Sequence, residues 1–291
     1  MKNILIYFPY NSRTVEQQSV MEMLVNKGHH VFLLTLTKEG ELHSIVRKLG
    51  VEAFASGHEA SLRPGSILAN ARVLIRFCRQ YSIDLVLVHQ QSAVVPLIFS
   101  KPFIKAGSFY VRHNSDEDYI TNPFKAALLN KFINRFVRNI IAPSDIVYRY
   151  MVDKEKVPAS RIQRINYGYN FDQYEKANLQ NAKKIREEHA CSFLILSIAR
   201  LVHVKRHKIM FAAVKSLLEK GLDVKMICLG TGKDEAELQQ WVKESALEAN
   251  ILFKGRRQEI FDYLVASDVL FHLSATEASN SVVKETGWVE R

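Results

Sequence analysis

The chain has 291 residues, 47% of them apolar, and a formal net charge of +10. That length suits about two domains, and the apolar content, with no low-complexity tract, excludes a disordered chain. The basic balance attracts polyanions such as nucleic acid, anionic lipid or phosphorylated small molecules, and charge alone does not choose among them.

Ile4–Phe8 is an apolar run too short for a signal peptide and reads as a buried strand. The periodicity predicts a helix from Thr14 to Lys27, closed by Gly28, then a strand at His30–Leu36 and a helix at Leu42–Leu49 ended by Gly50. Ser66 to Tyr81 repeats apolar residues at helical spacing, and Asp84–His89, Phe109–Val111 and Ile140–Ala142 read as further strands. Continuous apolar strands alternating with helices are the pattern of a parallel sheet covered on both faces. Such sheets bind ligands at the C-terminal ends of their strands. Attention therefore falls on Asn11 and Ser12, on His89, and on His113 and Asn114.

From Asn170 to Ala190 the chain turns polar, which suggests a linker with a short lead-in helix. The alternation then restarts. Phe193–Ile198, Val224–Leu229, Ile251–Phe253 and Val269–Leu273 read as strands. Between them lie helices at Lys208–Lys220, with Ile209, Ala212, Ala213, Ser216 and Leu217 inward, at Glu235–Glu248, and at Ile260–Ala266; another begins near Ser279. The expected fold is α/β, with two doubly wound parallel-sheet domains: 1–172, a linker over 173–192, and 193–291. A unit of this kind usually carries further strands, so the second domain is expected to be incomplete.

The strongest constellation lies in the second unit. Arg200 and Lys205 follow its first strand, where a planar guanidinium and a point-charge ammonium can converge on one diphosphate. After Val269–Leu273 comes Glu277-Ala-Ser-Asn280-Ser281-Val282-Val-Lys-Glu285. An N-cap at Ser279 or Asn280 would open a helix whose free N–H groups favour an anion. No His, Cys or carboxylate spacing suggests a metal site, and His203, His207 and His272 match no common ligand set. The scattered Cys78, Cys191 and Cys228 read as buried small hydrophobes in a reducing compartment.

In this order and spacing, Ser197-Ile-Ala-Arg200-Leu…Lys205, Leu229-Gly230-Thr-Gly232, Phe253-Lys-Gly255 and Glu277-x7-Glu285 resemble the C-terminal domain of the GT-B glycosyltransferases of family 4. Lys27-Gly-His-His-Val31, Ala142-Pro-Ser144 and Asn166-Tyr-Gly-Tyr-Asn170…Tyr174 are similar to that family's N-terminal domain. The resemblance implies two Rossmann-like domains facing a cleft, the second C-terminally truncated, and a metal-independent, retaining transfer of a sugar from a UDP- or GDP-sugar to a hydroxyl. No cofactor is implied. On the residues, it implies that Arg200 and Lys205 hold the diphosphate and that Glu277 contacts the donor sugar. Glu285 would bind the ribose, and the backbone of Asn280, Ser281 and Val282 would cap the phosphates. Gly230, Gly255 and Arg256 would lie beside the nucleotide, and His113 would reach the donor sugar. Asn11, Ser12, His89 and Asn114 stand on the acceptor side, and the acceptor implied is a glycan or lipid-linked precursor of bacterial surface polysaccharide or lipopolysaccharide. The chain departs from the family pattern at Ala199 and Arg206, which replace glycines, and at Tyr10-Asn11-Ser12-Arg13, which replaces a Gly-rich turn. A nucleotide-sugar epimerase of similar fold, or an inactive donor-binding fragment, are the alternatives.

Residues 124–138 carry Lys125, Lys131, Arg135 and Arg138, no acid, and a run of Phe, Leu and Ile between them. This stretch suits either an anionic membrane surface or a core helix with a solvated basic face. No run reaches the roughly 18 apolar residues of a membrane-spanning helix. The expected location is cytoplasmic, with peripheral attachment to the inner membrane face. No nucleic-acid recognition motif is present, and no nucleic-acid partner is expected.

Overall fold

The computed structural model describes residues 1–12, 14–113, 119–120, 122–170 and 176–289. The chain forms two compact units, Met1–Asn170 and Phe171–Arg291.

Unit 1 is built on a parallel sheet in the order β3-β2-β1-β4-β5-β6-β7. Its strands are β1 (Asn3–Phe8), β2 (His30–Thr35), β3 (Glu52–Ala55), β4 (Leu85–His89), β5 (Gly107–Val111), β6 (Ile140–Ala142) and β7 (Ile162–Arg164). Its helices are α1 (Val15–Asn26), α2 (Glu41–Lys48), α3 (Pro64–Gln80), α4 (Gln91–Ser100), α5 (Pro123–Phe136) and α6 (Asp145–Arg149). β1 lies inside the sheet, with Ile4 registered to Val31 on one side and Leu85 on the other. It is buried from Ile4 to Phe8, which is why it reads as unbroken hydrophobicity. One core layer joins Ile6, Phe8, Met21, Leu33, Leu42 and Val46.

Strands β3 and β7 and helix α4 have no counterpart in the sequence reading. Each edge strand is short, and β7 buries only Ile162. Helix α4 is almost uniformly apolar and contains Pro96, so it shows no helical period.

A charged pair lies inside unit 1. Arg112, just past β5, is fully buried and donates to Glu155 Oε1 at 2.8 Å. Tyr119 Oη and Asn134 Nδ2 also donate to that carboxylate, at 3.2 and 2.8 Å. Asn130 of α5 accepts from Arg112 at 3.3 Å and from Gln91 of α4 at 2.7 Å. The network thus ties α4 and α5 to the end of β5.

Unit 2 has a parallel sheet in the order β10-β9-β8-β11, with β8 (Phe193–Ile198), β9 (Val224–Leu229), β10 (Ile251–Gly255) and β11 (Val269–Leu270). Its helices are α7 (Leu179–Glu188), α8 (His207–Glu219), α9 (Glu235–Glu244), α10 (Ile260–Ala266) and α11 (Ser281–Trp288). Residues 173–192 carry α7, whose Ala182 and Ile185 pack with Phe261 and Leu264 of α10. Asn178 caps α7, and its own N–H donates to Asp262 at 2.7 Å.

Two expectations are corrected here. The buried face of α8 is His207, Met210, Phe211 and Val214; Ile209, Ala212 and Ser216 are exposed, and Ala213 and Leu217 are half-buried. Two stripes of helical spacing overlap on that helix, and the one with the bulkier side chains removes more apolar area from water. The last strand stops at Leu270 rather than Leu273, although Phe271 N–H still reaches Leu196 O at 2.7 Å.

Removing one member of a buried ion pair strands the other charge in a poorly solvating interior. Arg112→Met should therefore destabilise unit 1 by about 3–5 kcal/mol, with much of the loss recovered in Arg112→Met/Glu155→Leu. Urea unfolding followed by circular dichroism tests this; a single variant as stable as the parent would contradict it.

Candidate functional site

In unit 2 the sheet order reverses beside β8, whose neighbours are β9 and β11. The loops leaving β8 and β11 flank that switch point, where open parallel sheets hold ligands. These loops carry Arg200 and Lys205 on one side and Glu277 on the other.

Backbone contacts fix the mouth of this region. Ala199 N–H donates to Leu229 O and Leu201 N–H to Thr231 O, both at 3.0 Å, while Gly230 N–H donates to Gly255 O at 2.8 Å. Three turns distant in sequence are thereby laced together. A Cβ at Gly230 would run into the Ala199 carbonyl oxygen, and one at Gly232 into that of Leu201. Gly230 also holds φ at 136°, where side chains are strained. Leu201 is fully buried and anchors the loop from below. Arg200 is exposed at the strand end, and Arg256 is exposed after β10.

Lys205 forms an ion pair with Glu277, and His272 Nε2 reaches the same carboxylate oxygen at 2.7 Å. Ser274 Oγ lies 2.8 Å from that nitrogen. Ala275 N–H donates to Val204 O at 2.8 Å, pinning the two loops together. Burial raises the Glu277 pKa, but hydrogen bonds from His272, Lys205 and Ser274 and the Lys205 charge outweigh it and hold the carboxyl at about 2. Glu277 is therefore a carboxylate at neutral pH.

Asn280 is the N-cap of α11 and accepts from Val282 N–H at 3.1 Å and Val283 N–H at 3.4 Å. An anion binding the Val282 N–H must displace that cap. Ser281 opens the helix, and Glu285, 4% exposed, is buried inside it.

In unit 1, a cavity of about 370 Å³ opens at the strand ends, lined by Tyr10, Leu62, Gln90, Gln91, Ser92 and His113 among others. Of the acceptor-side expectations, Asn11 and His89 do not line it. Asn11 gives its amide to Lys38 O at 2.9 Å, and its carbonyl accepts from Leu42 N–H, so it braces the turn before α2. His89 is 2% exposed, sealed at the strand end against Phe8. Ser12 is exposed and Asn114 lies outside the described residues. The sequence reading passed over Gln90 as an individual residue. Its φ of 65° with ψ of 160° is a conformation nearly restricted to glycine, and such strain persists only where the surroundings enforce it.

His113 is braced from both sides. Its Nε2 lies 2.8 Å from His89 Nδ1, its Nδ1 meets Tyr167 Oη, and Gln17 Nε2 lies 3.2 Å from His89 Nδ1. With the Gln17 amide and the tyrosine hydroxyl donating, both imidazoles carry their proton on Nε2. Burial lowers the His113 pKa to about 4, and burial together with the His113 charge pushes His89 well below the imidazole range.

Among the described residues, no group of three or more His, Cys, Asp or Glu is arranged to hold a metal ion.

Unfolded histidines titrate near about 6.5, so between that pH and about 4 the unfolded state binds more protons than the folded one. Unit 1 should lose stability as pH falls through this window and be insensitive above it. His113→Gln should flatten that dependence in thermal melts run from pH 7 to 4.5; an unchanged slope would count against the neutral pair.

Comparison with known proteins places this geometry in a family. Residues 18–173 match the family described as Glycosyltransferase Family 4, and residues 180–286 match Glycosyl transferases group 1. An uncharacterised glycosyltransferase of Methanocaldococcus jannaschii is 24% identical over 240 residues, covering 77% of this chain; the chain spans 58% of that relative's length. Among solved structures, Anabaena HepE in complex with UDP and glucose superposes with a TM-score of 0.79 at 18% identity, covering 99% of this chain and 78% of its own. A glycosyltransferase from Rickettsia africae gives 0.76 at 18% identity, covering 100% and 78%. The fold is GT-B, and the chain belongs to glycosyltransferase family 4.

Proposed function

We propose that this chain carries the donor-binding machinery of a retaining glycosyltransferase that moves a sugar from a UDP- or GDP-sugar to a hydroxyl, without a metal. The observation that carries this reading is the pairing of Lys205 with Glu277 across the switch point of unit 2, beside the glycine-laced mouth. A uridine nucleotide is the favoured donor, by likeness to HepE, whose structure holds UDP and glucose.

In this reading Arg200 and Lys205 hold the diphosphate and stabilise the charge that grows on it as the C1–O bond breaks. Two cations and a helix N-terminus then do the electrostatic work of a metal ion. Glu277, an anion, accepts hydrogen bonds from the donor sugar, and the buried Glu285 those of the ribose. Gly230, Gly255 and Arg256 line the nucleotide. His113 meets the donor sugar as a neutral imidazole. The acceptor hydroxyl attacks from the face the leaving group vacates, and its proton passes to a phosphate oxygen, so anomeric configuration is retained. The cavity of unit 1, with Gln90 and Ser92, takes the acceptor, which we assign to the precursors of surface polysaccharide or lipopolysaccharide.

Calorimetric titration should show UDP or GDP binding that Arg200→Ala and Lys205→Ala each weaken by about tenfold or more, the scale of a charge-assisted contact. Unchanged binding in both would refute the diphosphate assignment. Conversion of a UDP-sugar with no acceptor present would instead favour an epimerase.

Helix α5 supports attachment to a membrane surface on the cytoplasmic side. It buries Ala126, Asn130 and Ile133 but leaves Phe124, Leu128 and Phe136 79%, 64% and 58% exposed. With half-buried Phe132, these residues recur every fourth position and form one stripe, flanked by exposed Lys125, Lys131 and Arg135. Phe99 of α4 stacks on Phe132 at 6.4 Å and extends the patch. Apolar side chains between cations suit the boundary of an anionic bilayer. No helix among the described residues is long and apolar enough to cross a membrane. Co-sedimentation with phosphatidylglycerol vesicles should fall in Leu128→Ser and in Lys131→Gln/Arg135→Gln; retention equal to the parent would argue against this surface.

A further inference from the structure

The Glu277 carboxylate has two suitors on one oxygen. Lys205 Nζ and His272 Nε2 both reach Oε1, the latter at 2.7 Å. A carboxylate oxygen that accepts a second donor holds the first less strongly, because its charge is shared. His272 is well placed for this. It is 10% exposed at its side chain, it sits in the loop after β11, and its Nδ1 is buried with no hydrogen-bond partner among the described residues. The proton must therefore lie on Nε2, since a lone pair there would face the carboxylate oxygen. The groups that face it are Ser274 and Glu277 from its own loop and His207 from α8, with Lys205 beyond the shared oxygen. His272 belongs neither to the donor-binding motifs nor, among the described residues, to any metal-binding cluster.

Glu277 also competes with any ligand for Lys205. A nucleoside diphosphate can take that ammonium only by drawing it off a carboxylate, and the carboxylate left behind is part-buried and needs another partner. Resting on the donor-site reading above, we propose that His272 is the positioning residue that takes over Glu277 when Lys205 turns to the donor diphosphate. It lowers the hold of Glu277 on Lys205 before the donor arrives. Afterwards it keeps the carboxylate aimed for the sugar. No proton or covalent bond changes hands; one hydrogen bond persists while the ion pair is exchanged.

The test is calorimetric titration of the full chain with UDP, which lacks the sugar and so reports on the diphosphate and nucleoside contacts without any direct contact of Glu277 to a sugar. His272→Leu removes the competing donor, and UDP should bind about tenfold more weakly. His272→Gln keeps an N–H in reach of Oε1 and should bind within about threefold of the parent. In His272→Leu/Glu277→Gln the competing charge is gone, and affinity should return to the parental level or above it. A merely structural role for His272 predicts that the double variant is no better than His272→Leu. That result, or parental affinity in His272→Leu, would overturn the proposal while the Arg200 and Lys205 variants still report on the donor site. If the parent binds neither UDP nor GDP, the donor-site reading falls and this proposal with it; if it binds GDP alone, the same variants are read with GDP.

Discussion

The site in unit 2 depends on a close approach of backbone to backbone. Two carbonyl oxygens of the turn after β8 occupy the space where Cβ atoms would stand on Gly230 and Gly232. Any side chain there would lever the Ala199–Leu201 turn off its support, and Lys205 with it. The hydrogen bonds that lace this turn to Leu229 and Thr231, with Gly230 tied in turn to Gly255, then make it rigid. A rigid loop gives up less conformational freedom when any ligand binds to it. The family's glycine before Arg200 is alanine here, which the geometry tolerates. The approach comes from the Ala199 carbonyl, not from its side chain.

The two units handle buried polarity differently. Unit 1 buries a full ion pair, Arg112 with Glu155, and satisfies it with neutral donors from α5 and Tyr119. One residue along, His113 sits in a chain of neutral groups from Gln17 to Tyr167. The first arrangement fixes the end of β5 in place; the second keeps an imidazole uncharged beside a cavity. Unit 2 keeps its Lys205–Glu277 pair closer to the surface. Desolvation makes the difference matter, since a pair sealed in an interior is costlier to open than one near water.

The architecture was legible because the central strands are buried on both faces and read as continuous apolar runs. What escaped was whatever breaks a period. Strand β7 has one inward residue, α4 is apolar all round with a proline, and α8 carries two overlapping stripes of which the alanine-rich one is only partly covered. In the site, Arg200, Lys205, Glu277 and Asn280 were all visible as residue types at strand ends and helix starts. Their partners were not. That His272 shares an oxygen with Lys205, or that Asn11 braces a turn instead of facing a pocket, follows from the fold bringing distant segments together. The strain at Gln90 leaves no mark in composition, because nothing about glutamine announces a glycine-like backbone.

The interior position of β1 also shapes how unit 1 comes into being. It is made well before its β4 partner, which lies some 80 residues later, with Ile4 paired to Leu85. At synthesis rates of about 5–20 residues per second, the apolar edge from Ile4 to Tyr7 waits several seconds for its neighbour. Until then only β2 can cover it, and a second nascent chain offers the same edge. A strand buried on both sides in the finished sheet is therefore an open apolar edge while the ribosome is still at work.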